Sequence, residues 1–257
     1  MSDTLKVINK SVSSDLIKIS CKIWYCDETV TTNRSDYINN KMEGDNMKIV
    51  LFGDSITDMG RDRNSDLGAF SYGHGYSNAI TSQLTKENPL KYEIYNRGVS
   101  GDRSVDLYAR IKRDVWNLYP DALSILIGVN DVWHDLGEKP NGVDIVRYEK
   151  VYRAIIEETK EKLPNVKIIL CEPFVLKGAA TEEKFDQFEK VKDYAKIVKK
   201  LAEEYGLFFL PLQEQLNEAA EKFGAEKFLY DGVHPSLAGA GLIADAWLKL
   251  FKEQIDL

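Results

Sequence analysis

Segments with the pattern of buried strands alternate with segments of helical pattern from Met47 to the end of the chain. Residues 122–127 are almost entirely apolar, as expected for a central parallel strand that helices cover on both faces. Residues 183–205 have helical spacing and are followed by Gly206, a residue typical of the position after a helix. This alternation predicts a doubly wound α/β fold with three layers, α/β/α, around a five-stranded parallel sheet.

The predicted strands are residues 48–52, 91–95, 122–127, 166–170 and 207–210. The predicted helices are residues 76–84, 104–118, 145–163, 183–205, 212–223 and 237–254. In a sheet of this kind the ligand site lies beyond the carboxyl ends of the strands. We therefore expect functional side chains in the segments that directly follow strands.

Residues 1–46 do not share this alternation. Residues 16–25 alternate like a half-buried strand, and residues 29–46 are polar and resemble a linker. We predict an N-terminal extension over residues 1–46, an arm or an added edge strand without a catalytic role, and one domain over residues 47–257.

Charge and cysteine content narrow the choice of partners and compartment. The formal net charge of -7 argues against nucleic acid or an anionic membrane as a partner. The chain has no apolar run near the ~18 residues of a membrane span, and its N-terminus lacks the apolar core of a secretory signal. Cys21, Cys26 and Cys171 show no metal-binding or redox spacing, so we expect a cytoplasmic protein.

Chemically capable residues follow the strands. Ser55 comes after the first strand, Gly101 lies in the segment after the second, and Asn130 follows the third. Asp231 and His234 lie together near the C-terminus. A serine nucleophile needs a base, usually histidine, and a carboxylate that orients the imidazole. The backbone N–H groups of Ser55 and Gly101 and the amide of Asn130 could bind the oxyanion of an acyl-transfer reaction.

Several candidate residues, including Trp133 and His74, also have simpler interpretations. Ser55 alone would more often cap a helix, and Asn130 alone would more often shape a turn. Trp133 could form a pocket wall or pack in the core. Among the three histidines, His234 is favoured as the base because Asp231 lies three residues before it. His74 lies in a Gly- and Tyr-rich loop that could contact substrate or be an ordinary loop.

Four sequence blocks, FGDSITD, NRGVSGD, IGVNDVW and DGVHP, match in order and spacing those of the SGNH (GDSL) hydrolase family, which the chain resembles from Met47 onward. The first block has Gly-Asp-Ser-Ile instead of Gly-Asp-Ser-Leu. The resemblance implies a flavodoxin-like sheet and ester hydrolysis without metal or other cofactor. It implies Ser55, Asp231 and His234 as catalytic residues, and Ser55, Gly101 and Asn130 as oxyanion donors.

More narrowly, GDSITDMGR, the YGHGY loop and IGVNDVWHD resemble the intracellular acetylxylan-esterase branch. This resemblance implies a serine esterase that removes short acyl groups from carbohydrates such as acetylated xylo-oligosaccharides, and it is compatible with a homo-oligomer. The resemblance also implies that Trp133 walls the acyl pocket. Tyr72, His74 and Tyr76 are the candidate substrate-binding residues, because their rings could stack on a sugar. Two alternatives are a lysophospholipase or thioesterase, which needs a longer apolar channel, and a carbohydrate-binding protein on an inactive esterase scaffold.

Overall fold

The computed structural model describes residues 46–256. Apart from Asn46, the predicted N-terminal extension lies outside the described residues, as do Cys21 and Cys26. Within the described part, no helix is both long enough and apolar enough to cross a membrane.

The predicted five-stranded parallel sheet is confirmed. Its strands are β1 (Met47–Gly53), β2 (Tyr92–Gly98), β3 (Ala122–Leu126), β4 (Lys167–Cys171) and β5 (Phe208–Leu210). They pair in parallel in the spatial order β2-β1-β3-β4-β5. This is the flavodoxin-like order, in which the chain reverses its direction across the sheet between β1 and β3. The reversal creates a crevice at the carboxyl ends of these two strands.

Helices connect the strands and cover the sheet: α1 (Ser55–Asp58), α2 (Tyr76–Glu87), α3 (Ser104–Asp114), α4 (Val129–Trp133), α5 (Ile145–Lys162), α6 (Phe185–Phe188), α7 (Val191–Tyr205), α8 (Gln213–Phe223) and α9 (Leu237–Gln254). Helix α2 packs against α9, whereas α3 packs against α5 and α5 packs against α7. Helices α2 and α9 therefore cover one face of the sheet, and α3, α5 and α7 cover the other. Right-handed crossovers require this arrangement, because the connection from β1 to β2 crosses the sheet in one direction and the later connections cross it in the other.

Each face of the sheet has its own aromatic core. On one side, Trp247 of α9 stacks on Phe251 with ring centroids 4.7 Å apart, and its indole N–H donates to the Ser124 hydroxyl of β3 at 3.0 Å. On the other side, Tyr148 contacts both Tyr152 and Tyr194 in edge-to-face geometry. β1 and β3 lie between these two cores, so both faces of these strands are packed against aromatic side chains.

Two predicted helices differ from the observed ones. The helix predicted over 183–205 is divided into α6 and α7, because the hydrogen bonds at the junction tighten to a three-residue span, from the N–H of Lys190 to the carbonyl of Gln187. The helix predicted over 104–118 ends at Asp114, and a short 3₁₀ turn, Trp116–Leu118, follows it. The short helices α1 and α4 were not predicted, since four or five residues are too few to show a helical period.

Candidate active site

Ser55 is the first residue of α1, directly beyond the end of β1. The preceding Asp54 caps this helix, since its carboxylate accepts the N–H of Ile56 at 2.9 Å. Helix α1 presses closely on the end of β2: a Cβ atom on Gly98 would lie only 2.2 Å from the Asp58 nitrogen. Only glycine fits there. Gly98 therefore allows α1, and with it Ser55, to lie close to the segment that follows β2.

The structure brings Ser55, His234 and Asp231 into one chain of hydrogen bonds. The His234 Nε2 lies 2.8 Å from the Ser55 Oγ, and the His234 Nδ1 lies 2.7 Å from an Asp231 carboxylate oxygen. With Nδ1 protonated, the imidazole donates to Asp231 and accepts from the serine hydroxyl. This arrangement can move a proton from the hydroxyl to the ring, which is what a serine needs to attack a carbonyl carbon.

The turn that carries Asp231 and His234 favours an ionised carboxylate. Burial by itself would raise the pKa of Asp231, but hydrogen bonds from the backbone N–H groups of His234 and Val233 and from the His234 ring outweigh it. The pKa of Asp231 is therefore lower than its usual value. An ionised Asp231 stabilises an imidazolium at His234 and fixes the ring tautomer.

Gly101 lies in the segment between β2 and α3, which we call the Gly101 loop (residues 99–103). Its φ angle is +86°, a conformation that favours glycine. A Cβ atom at this position would meet no atom within 4 Å, so the loop faces open space here. The loop is bound to the nucleophile helix, because the carboxylate of Asp58 accepts the Ser100 N–H at 3.0 Å and the Ser100 hydroxyl at 2.9 Å.

Asn130 lies on α4, directly after β3, and is buried with 4% exposure. Its side-chain nitrogen donates to the carbonyl of Asp102 at 3.0 Å, which leaves the second N–H of the amide for another acceptor. Asn130 and the Gly101 loop are thus in direct contact.

Aromatic rings surround the imidazole of His234. Trp133 lies 6.2 Å from it, centroid to centroid, and is itself supported by the edge-to-face ring of Phe188 at 5.5 Å. Tyr230 stacks on His234 at 5.8 Å, with the two ring planes inclined by 17°. Sequence reasoning missed Tyr230, although its position immediately before Asp231 is a signal that it lies near the base.

The predicted substrate-binding residues in the YGHGY loop have different environments. His74 is exposed and Tyr72 is partly buried, which leaves both predictions open. Tyr76 is a correction: it is 1% exposed, and its hydroxyl is hydrogen-bonded to the Thr57 side chain at 2.8 Å. It belongs to the core face of α2, so no sugar ring can stack on it.

Two carboxyl groups are buried beneath the site. Burial raises the pKa of Asp54 to about 7, and the negative charges of Asp131 and Asp102 act in the same direction. One Asp54 carboxyl oxygen has no hydrogen-bond partner. Burial likewise raises the pKa of Asp131 to about 7, against the opposing hydrogen bonds from the Ser104 hydroxyl and N–H.

No group of three or more His, Cys, Asp or Glu side chains within residues 46–256 is arranged to bind a metal ion. The absence of a cofactor stays a prediction.

Comparisons with known proteins agree with this fold. Residues 51–242 match the GDSL-like lipase/acylhydrolase family. An acetylxylan esterase from Geobacillus stearothermophilus is 37% identical over 212 residues, which cover 80% of this chain and 94% of that protein. The crystal structure of that organism's acetylxylan esterase Axe2 superposes with a TM-score of 0.71 at 35% identity, covering 81% of this chain and 95% of the other. A crystal structure from Parabacteroides merdae, described as a GDSL-like lipase, superposes with a TM-score of 0.73 at 41% identity. The match covers 79% of this chain and 94% of the other.

The fold and the matching relatives are those of enzymes that hydrolyse carboxylic esters. The chain belongs to the GDSL-like lipase/acylhydrolase family.

Proposed function

We propose that the protein is a serine esterase that removes short acyl groups, above all acetyl, from carbohydrates such as acetylated xylo-oligosaccharides. The observation that carries the proposal is the chain of hydrogen bonds from Ser55 through His234 to Asp231, with distances of 2.8 and 2.7 Å. Three solved Axe2 structures are catalytic mutants with alanine in place of a serine, an aspartate and a histidine. The aspartate precedes the histidine by three residues in Axe2, as Asp231 precedes His234 here.

In this proposal the Ser55 hydroxyl loses its proton to Nε2 of His234 as its oxygen attacks the ester carbonyl. His234 then donates the proton to the departing sugar oxygen, which leaves Ser55 acylated. Water attacks the acyl-enzyme in the same way, with His234 again as base and then acid. Asp231 remains ionised throughout and stabilises the imidazolium.

The oxyanion of each tetrahedral intermediate would be bound by the backbone N–H groups of Ser55 and Gly101 and by the Asn130 amide. Within residues 46–256, the two backbone N–H groups donate to no protein acceptor, and the amide of Asn130 has one N–H beyond its bond to Asp102. Donors that are fixed before the reaction stabilise the developing charge without reorganisation.

Support for the carbohydrate acetate as substrate comes from the relatives. The relatives named above include acetylxylan esterase from Geobacillus stearothermophilus, and two solved Axe2 variants are described as acetyl-xylooligosaccharide esterases. Trp133 lies next to His234 and is the residue that we propose limits the size of the acyl group. Tyr72 and His74 are proposed contacts of the sugar.

Acetate release from a panel of acetylated xylo-oligosaccharides, with acyl-lipid controls, tests this substrate class. A series of p-nitrophenyl esters with acyl groups of increasing length measures the acyl chain-length preference. We expect kcat/KM to fall sharply beyond acetate or propionate. A preference for long acyl chains together with release of fatty acid from the lipid controls would contradict the proposal and indicate a lysophospholipase or thioesterase.

A further inference from the structure

Arg110 of α3 is a nearly buried cation whose hydrogen bonds converge on the carboxyl ends of β1 and β2. Its side chain is 11% exposed, and its guanidinium lies over the ring of Phe52, 4.5 Å from the centroid. Such burial costs free energy unless the guanidinium donors are paired, and here they are paired with several different segments of the chain.

The guanidinium donates to four groups. Its Nη2 donates to the carbonyl of Gly53 at 3.0 Å, and its Nη1 to the carbonyl of Arg97 at 2.9 Å. Its Nε donates to the Asp102 carboxylate at 2.6 Å, and Nη1 also donates to Asp114 at 2.7 Å.

Three of these acceptors lie in or beside the segments that carry the proposed catalytic groups. Gly53 ends β1, two residues before Ser55, and Arg97 lies one residue before the end of β2. Asp102 follows Gly101 directly, and its carbonyl accepts the Asn130 amide. A single planar cation therefore joins the strand that carries the nucleophile to the loop that carries the oxyanion donors.

We propose that Arg110 is a positioning residue of the esterase reaction, which fixes the Gly101 loop, and through Asp102 the amide of Asn130, relative to Ser55. This inference rests on the proposed function. Arg110 acts through the groups it binds. A lysine at this position would keep the charge, but a compact ammonium cannot reproduce the planar fork that reaches separate acceptors in fixed directions.

The same contacts could also serve folding alone, and the test must separate the two roles. A positioning role affects the transition state more than the ground state, because only the transition state carries the oxyanion. Small displacements of catalytic groups can cost about 10²-fold in rate. We therefore expect Arg110→Lys to lower kcat about 10- to 100-fold on p-nitrophenyl acetate, with KM changed less than about threefold.

Methylboronic acid supplies a second readout, since its tetrahedral adduct with Ser55 would place an oxygen where the oxyanion forms. Its inhibition constant should rise in parallel with the loss of kcat. Arg113→Gln is the matched control: Arg113 lies on the same helix and pairs with the same Asp114, but it is 73% exposed and its hydrogen bonds go to Asp114 instead of the Gly101 loop. Its kcat should equal that of the wild type.

Asp102→Asn tests the contact between Arg110 and Asp102 by changing the acceptor. It also provides a test if Arg110→Lys does not fold. Its kcat should fall at least threefold, again with little change in KM. Unchanged kcat in these variants, in folded protein, would overturn the inference. So would a loss of thermal stability with an unchanged boronate constant, which would indicate a purely structural role. If wild-type turnover did not depend on Ser55, the proposed function would fail first, and this inference with it.

Discussion

The ring of Tyr230 lies face to face with the imidazole of His234, with centroids 5.8 Å apart and planes inclined by 17°. Tyr230 is nevertheless 53% exposed, and its backbone N–H donates to the carbonyl of His234 at 3.0 Å. The hydrogen bond from Nδ1–H to Asp231 still allows the imidazole ring to rotate about the direction of that bond. A ring stacked on one face of the imidazole restricts this rotation. We therefore expect Tyr230 to help keep Nε2 directed at Ser55.

Removal of this ring should lower catalysis modestly. Aromatic pairs contribute about 0.5–1.5 kcal/mol beyond burial, so Tyr230→Ala should lower kcat by about two- to tenfold. Tyr230→Phe keeps the stacked ring and should retain wild-type kcat. Steady-state kinetics on p-nitrophenyl acetate measure both variants, with Leu237→Ala as a control for an exposed apolar residue nearby. Equal kcat in Tyr230→Ala and wild type would show that the contact is passive.

Replacement of Asp231 by asparagine should be far more damaging. An amide can supply an N–H to His234 and thereby favour the wrong tautomer, and it cannot stabilise the imidazolium. In a triad of this type the loss in kcat is about 10⁴-fold. Asp245→Asn, an exposed change on α9, serves as the control. A loss below tenfold would mean that Asp231 does not orient the base.

Asn130→Ala removes one proposed oxyanion donor. We expect kcat to fall roughly 10²- to 10³-fold, the scale measured for loss of one such donor, while KM changes little. Thermal unfolding should accompany the kinetics, because the variant also loses the hydrogen bond to Asp102. A change in kcat of less than twofold would argue that this amide has only a structural role.

The buried carboxyl group of Asp54 should make stability depend on pH. Its pKa of about 7 in the folded protein lies above the ordinary value of 3.8, so the folded state binds a proton that the unfolded state releases. Its contribution to stability is therefore complete below pH 3.8 and is lost as pH rises through about 7.

Asp54→Asn removes this titration without removing the polar side chain. The variant should unfold at a higher temperature than the wild type at pH 8, with a smaller difference at pH 5. Differential scanning calorimetry across this range provides the measurement. If wild type and variant showed the same slope of unfolding temperature against pH, the buried group would have to be ionised throughout.

The sheet could be predicted because strand and helix patterns alternate along the sequence, and residues that follow parallel strands meet at one edge. That reasoning sufficed to expect Ser55, Gly101 and Asn130 near each other. Tyr76 was misassigned to substrate, although its spacing with Ile80 and Leu84 marks the buried face of a helix.

The contacts of Arg110 and Tyr230 could not be predicted. The guanidinium of Arg110 reaches Gly53, which is 57 residues away in the chain, and no local pattern encodes such a bond. Stacking of Tyr230 on His234 depends on the fold of a short turn and on side-chain orientation, neither of which a periodicity records.

The central claim is that Ser55 is the nucleophile, and the most direct measurement is the mass of the enzyme during turnover. Wild-type protein quenched rapidly after mixing with p-nitrophenyl acetate should carry one acetyl group on the peptide that contains Ser55. Ser55→Ala should fold with unchanged circular dichroism, acquire no acetyl group and lose nearly all turnover. Undiminished turnover in Ser55→Ala, or an acetyl group on a different residue of the active wild type, would contradict the account.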